Sequence, residues 1–228
     1  MLNIAIDGPA GAGKSTMAKL LAKRLNIIYL DTGAMYRAVA LEAMEKGVNL
    51  HDEEALSQLL DRIDIDIRYI DGEQHVFVNE RDITDRLRTP DVSKGASEVA
   101  VIPSVRVKLA ELQRRIASVH DVVMDGRDIG TYVLPNANIK FYLTASVEER
   151  ARRRLLEMRE KGYEHSLEEV EEDIRARDKN DSGRDFAPLR KADDAVLIDS
   201  TDKTIEEVVE EMMDYIKSKN MASEEKGR

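Results

Sequence analysis

The chain has 228 residues, 42% hydrophobic and 35% charged, with a formal net charge of −10. That describes a globular protein able to bury a sizeable core, and the acidic balance argues against extended nucleic-acid binding while leaving room for a small phosphorylated ligand gripped by clustered arginines. With no Cys and only four His, at 51, 75, 120 and 165, disulfides, thiolate metal sites and a cysteine nucleophile are excluded, and a histidine metal site has little to build on.

Leu2, Ile4, Ala5 and Ile6 open the chain as a strand, leaving no room for a leader peptide. No apolar run reaches membrane-spanning length, so the expectation is a cytoplasmic protein with no membrane partner. Gly8-Pro9-Ala10-Gly11-Ala12-Gly13-Lys14-Ser15 follows, then Thr16 and a helix with Met17, Leu20, Leu21 and Leu25 on one face. A strand feeding a glycine-rich turn and then a helix gathers backbone N–H groups into a concavity at the positive end of the helix dipole, where phosphates bind. Lys14 can reach the terminal phosphates of a nucleotide, and the Ser15 hydroxyl, with Thr16 beside it, can ligate magnesium.

Ile27-Ile28-Tyr29-Leu30 forms a second buried run, ending at Asp31-Thr32-Gly33-Ala34-Met35-Tyr36-Arg37. That segment suits an anion site, and it equally suits a plain helix cap with Arg37 in solvent. Between Ile63 and Ile83 the apolar period drops to two, around an Asp71-Gly72 hairpin signal, which marks a small antiparallel insertion. Pro103 opens a helix carrying Val105, Leu109, Leu112 and Ile116 on one face; Ser97 and Arg106 lie in or near the helices here, with no special standing from spacing alone. Val122-Val123-Met124 runs into Asp125-Gly126-Arg127-Asp128, either a magnesium-water carboxylate with a cleft arginine or a tight Asp-Gly turn.

Ile139 to Leu143 and Ala195 to Ile198 complete five strands. Between them, Ser146-x-x-Glu149 and Ser166-x-x-Glu169 read as capping boxes in a charge-dense flap from about 150 to 191. Nearby glutamates account for most of Arg152, Arg153 and Arg154 as solvated pairs, whereas Arg177 on an apolar helix face and Arg184 after Asp181-Ser182-Gly183 point to a ligand. Ile205, Val208, Val209, Met212, Met213 and Ile216 form a last helical stripe, and 218–228 is expected to be a flexible tail. Strands alternating with helices give an α/β fold with ligands at the carboxyl ends of the strands.

Four segments together resemble the bacterial cytidylate kinases: Ile6-Asp7-Gly8-Pro9-x-Gly11-x-Gly13-Lys14-Ser15, residues 31–37, Asp125 to Thr131, and Arg177-Asp178-x-x-Asp181-x-x-Arg184. The resemblance covers about 1–217 and implies a three-layer P-loop core with a five-stranded parallel sheet (1–35, 100–150, 192–217), a monophosphate-binding region (36–99, with the antiparallel insertion at 63–83) and a helical lid (151–191). It implies the use of ATP and Mg²⁺ to phosphorylate CMP and dCMP; the sequence hints at no obligate partner, so a monomer is expected. By position the resemblance makes Arg37, Arg127 and Arg184 the grip on the monophosphate, near Thr32, Tyr36, Asp125 and Gly126. Ser97, Arg106 and Asp128 become readers of the cytosine edge, Arg177 and Asp181 contacts to the sugar, and Arg153 and Arg154 the start of the lid over ATP. The competing readings are a kinase of the same core with another acceptor, such as thymidylate or shikimate, a nucleotide-dependent switch, and an assembly-driven ATPase. A guanine-reading Asn/Thr-Lys-x-Asp segment is missing, since Asp178-Lys179-Asn180-Asp181 lacks its first residue.

Overall fold

Five apolar runs become one parallel sheet in a computed structural model that describes residues 1–160 and 162–226. In chain order the elements are β1 (Asn3–Asp7), α1 (Lys14–Leu25), β2 (Ile28–Asp31), α2 (Thr32–Glu45), α3 (Glu53–Leu60), β3 (Ile65–Ile70), β4 (Glu73–Val78), β5 (Arg81–Asp82), α4 (Pro90–Val99), α5 (Pro103–Val119), β6 (Val122–Gly126), β7 (Ile139–Thr144), α6 (Val147–Glu160), α7 (Leu167–Ser182), β8 (Val196–Asp199) and α8 (Ile205–Lys226).

The sheet order is β2-β6-β1-β7-β8, with every pairing parallel. Side chains alternate across it: Ile4, Ile6 and Val123 pack with α1 and α8, whereas Ala5, Leu30 and Met124 pack with α2, α3 and α5. Burial on both faces is why these strands read as continuous apolar runs. β1 sits in the middle, between β6 and β7, so the glycine loop leaves the sheet at the point where the strand order reverses and a crevice opens.

The antiparallel insertion forms as its period-two pattern requires. β3 and β4 pair from Ile65↔Val78 to Ile70↔Glu73, and Asp71 and Gly72 both take positive φ (53° and 81°), the turn that matches strand twist. Ile65, Val76 and Val78 join the core beside α2. The two-residue β5 completes a three-stranded sheet; Arg81-Asp82 has no apolar pattern to announce it. Glu42 of α2 is buried and accepts from Arg81 at 2.5 Å, which fastens the insertion to the core.

The charged flap is an ordered helical pair. α6 and α7 share a small core of Ala151, Leu155, Val170 and Ile174. Ser166 and Glu169 make the full capping box; at Ser146 only half forms, because Glu149 spends its carboxylate on Arg153 at 2.9 Å. The last helix runs to Lys226, past the boundary expected at 217, and residues 227–228 of the expected tail lie outside the described residues. No helix among the described residues is long and apolar enough to cross a membrane.

Gly8 marks the tightest point of the architecture. Its φ is +148°, and a Cβ there would lie 1.9 Å from the carbonyl oxygen of Leu143 on β7. Gly8→Ala therefore has to move a central strand, and urea unfolding should show a loss of about 2–5 kcal/mol.

Candidate active site

The glycine loop is shaped by three positive-φ glycines. Gly11 (+75°) admits the side chain of Arg150, whose Cβ would stand 3.1 Å from an added Cβ, and Gly13 (+89°) starts α1 with no side-chain cap. The first amides of α1 are thereby left for a ligand. Lys14 is buried and donates from Nζ to the Pro9 carbonyl at 2.6 Å; burial first, then the Arg127 charge, push its ammonium pKa down. A bound polyanion reverses that pressure. Ser15 Oγ donates to Asp125 Oδ2 at 2.9 Å and the Tyr29 hydroxyl to Oδ1 at 2.8 Å. Burial, followed by the neighbouring Asp31, pushes the Asp125 carboxyl up.

Asp7 ends β1 and accepts from the backbone N–H groups of Ile129 and Gly130 at 2.8 and 2.7 Å. These belong to a π-helical turn, Ile129–Val133, that directly follows Arg127 and Asp128. One carboxylate thus locks the loop-bearing strand to the turn that presents two other site residues. Its pKa is raised from 3.8 to about 7, chiefly by burial.

The arginines are paired with carboxylates. Asp181 accepts from Arg127 Nε at 2.6 Å and from Arg184 Nη2 at 2.8 Å, joining the turn after β6 to the end of α7. Burial alone would raise the Asp181 pKa, but Arg127 and Arg184 outweigh it and hold the group low. Burial pushes the Arg184 guanidinium down. Of the two readings of residues 31–37 the cap is present, with Asp31 accepting from Ala34 N–H at 3.0 Å, but Arg37 does not lie in solvent: it turns back to pair with Asp31 at 2.7 Å. Arg106 is 1% exposed and stands 2.5 Å from Asp128 Oδ2, yet Arg106 Nε and Nη2 and that oxygen have no well-directed hydrogen bond, so the contact is close but misaligned. The Tyr36 ring lies 5.6 Å from the Arg106 Cζ.

All the expected site residues except Gly8 and Pro9 line one cleft of about 650 Å³ among the described residues. Gly8 lies beneath it against β7, and Pro9 serves it by holding Lys14. Arg153 reaches from α6 to the Ser200 carbonyl at 2.7 Å and Arg177 pairs with Asp173 at 2.9 Å, both half-buried at the cleft wall, while Arg152 is spent on Glu148 at the surface. Arg154 keeps its helix partner Glu157 at 3.3 Å, and Ser97 bonds only its own helix, at the Ser93 carbonyl (3.4 Å).

Sequence reading passed over several contributors. Arg150, 4% exposed, donates to the carbonyls of Ala145 and Ala10 and pairs with Asp178 at 2.7 Å, yet in sequence it is one more arginine among glutamates. Tyr29 looked like strand core, and Ser200 carried no motif. Asp7 did leave a signal, a lone carboxylate in a buried apolar run.

A mostly buried strand, an uncapped glycine loop and a helix, facing a cluster of arginines across one cleft of a parallel α/β sheet, define a P-loop phosphotransferase. The chain matches the cytidylate kinase model over residues 4–218 and belongs to that family. Cytidylate kinases of Carboxydothermus hydrogenoformans (52% identity, 96% of this chain and 99% of that protein) and Clostridioides difficile (50%, 94% and 98%) are similar over nearly their whole lengths. A crystal structure of an uncharacterised protein from Eubacterium ventriosum shares the fold, at 15% identity and a TM-score of 0.54, with 96% of this chain and 99% of that one covered.

The Asp7 carboxyl has a raised folded pKa, so its contribution to stability is full below its unfolded value of 3.8 and is lost as pH rises towards about 7. Urea unfolding of the parent and Asp7→Asn across that window should show the parent losing on the order of 2–4 kcal/mol relative to the variant.

Proposed function

We propose that the protein is a (d)CMP kinase, moving the γ-phosphoryl of ATP onto a phosphate oxygen of CMP or dCMP to give (d)CDP and ADP. The observation that carries this reading is the single cleft in which the phosphate loop, the Arg37, Arg127 and Arg184 cluster and the buried Arg106–Asp128 pair face one another.

The acceptor is a phosphate monoester, already largely dianionic near neutrality because its second pKa is about 6. No side chain has to take its proton, which agrees with a cleft lined by no histidine. The obstacle is repulsion between two polyanions and their alignment. Lys14 and the loop amides hold the donor phosphates, and Arg37, Arg127 and Arg184 hold the acceptor phosphate, so cations flank the reacting atoms on both sides. Asp31 and Asp181 pair with these guanidinium groups, at 2.7, 2.6 and 2.8 Å, and keep them aimed inward. Arg153 and Arg154 on α6 lie over the donor, and closure of α6 and α7 excludes water that would otherwise take the phosphoryl group.

Mg²⁺ fits this donor set. Ser15 Oγ and Asp125 Oδ2 are hard oxygen ligands 2.9 Å apart at the mouth of the loop, and magnesium prefers one or two protein oxygens completed by phosphates and water. Thr16, next in the chain, offers a second hydroxyl. When bound there, magnesium neutralises charge on the transferring group.

Base selection follows from the misaligned pair. A cytosine presents an amino donor beside a ring-nitrogen acceptor, which meets the Asp128 carboxylate and the Arg106 guanidinium with matching polarity, and Ser97 lies in the same wall. Uracil reverses both partners. Arg177 and Asp181 are the sugar-side residues of this reading, and Thr32 and Tyr36 form the wall beside Arg37; the carboxylate of Asp181 serves Arg127 and Arg184 until a ligand takes them. The proposed enzyme works as a monomer, and a cytoplasmic setting suits its substrates.

A coupled ADP assay across acceptors should give CMP and dCMP a kcat/KM at least about 100-fold above UMP. Equal rates with UMP or AMP would refute the base reading. Lys14→Met should lower kcat by about 10²–10³-fold with the melting temperature unchanged. Chelation of divalent cations by EDTA should abolish transfer, and excess Mg²⁺ should restore it.

A further inference from the structure

Among the described residues β2 is an edge strand, with β6 on one side and no strand on the other. Two side chains of the insertion stand in for the missing neighbour. Tyr69 and Gln74 are a cross-strand pair on one face of the β3–β4 hairpin. The Tyr69 hydroxyl donates to the Tyr29 carbonyl at 2.9 Å. Gln74 Oε1 accepts from Asp31 N–H at 2.7 Å, and its Nε2 donates to the Asp31 carbonyl at 3.3 Å. The amide thus gives the Asp31 peptide the donor and acceptor that a paired strand would give.

The side chain of Asp31 points the other way, into the cleft. It caps α2 through Oδ1 and holds Arg37 Nη2 through Oδ2 at 2.7 Å. Arg37 Nε is buried without a hydrogen-bond partner, so the Asp31 contact sets the direction of the guanidinium. Gly33 leaves just the room needed: a Cβ there would come within 3.1 Å of Asp31 Oδ1 and 3.2 Å of Arg37 Nη1.

We infer that Gln74 is a positioning residue for the acceptor phosphate: by fixing the Asp31 peptide it aims Arg37, and it couples the antiparallel insertion to the cleft. This rests on Arg37 gripping the monophosphate, as proposed above. The insertion then belongs to the acceptor half of the cycle, and the donor nucleotide is indifferent to it.

The test is a double-variant cycle with Gln74→Met, which keeps length and shape but removes both hydrogen bonds, Arg37→Met, and the two combined. KM for CMP, KM for ATP, kcat and melting temperature are measured for each. Gln74→Met should raise KM for CMP about 3- to 10-fold, leave KM for ATP and the melting temperature near the parent values, and add nothing in the Arg37→Met background. Gln74→Leu gives the same comparison if the methionine variant folds poorly. An unchanged KM for CMP in Gln74→Met, beside a large rise in Arg37→Met, overturns this inference alone. So does an effect that persists in full without Arg37, or a lowered melting temperature with both KM values moving together. A flat KM for CMP in Arg37→Met overturns the phosphate-grip reading and this inference with it.

Discussion

A buried cation without a partner is too costly for a folded chain, and the interior of this cleft is arranged around that constraint. Lys14 leans on the Pro9 carbonyl, Arg37 on Asp31, Arg106 on Asp128, Arg127 and Arg184 jointly on Asp181, and Arg150 on Asp178. The aspartates let the protein keep several cations along one cleft, and they fix the direction of each guanidinium. Net acidity and a cationic cleft are therefore two sides of one design: the carboxylates that partner the cleft arginines help set the overall charge of −10.

The sheet delivers those carboxylates in a row. β2, β6 and β1 are adjacent, and their carboxyl ends carry Asp31, Asp125 and Asp7, with Asp31 directly opposite Asp125 in register and Asp7 opposite Gly126. Each has a separate task. Asp31 aims an arginine, Asp125 holds Ser15 and Tyr29, and Asp7 gathers the amides of the following turn. Burial first, then the neighbouring Asp31, raises Asp125, and burial first, with a smaller push from Asp128, raises Asp7.

Much of this was legible beforehand because the signals are local. A strand buried on both faces leaves an unbroken apolar run, a phosphate loop leaves its glycines, and a hairpin leaves Asp-Gly between alternating residues. The residues that escaped act across long sequence separations. Arg150 touches Ala10 and Asp178, and nothing in its neighbourhood of glutamates distinguishes it from Arg152, which is a surface pair. Gln74 is an ordinary strand residue until the hairpin folds back on β2. The charged segment around 150–191 read as a charge-dense flap because the apolar residues that join its two helices are few, Ala151 and Leu155 against Val170 and Ile174. Arg106 and Asp128 were named by family resemblance alone, because their burial and close contact depend on the folded chain and leave no local pattern.

Arg150 also constrains how the upper helices can travel. One guanidinium joins the start of α6, the Ala10 carbonyl of the loop and Asp178 near the end of α7. With three fastenings on a single planar group, moving the helical pair away from the loop means breaking at least one of them. The same side chain thus packs the cover helices and the glycine loop against each other, a single joint shared by three segments far apart in the chain.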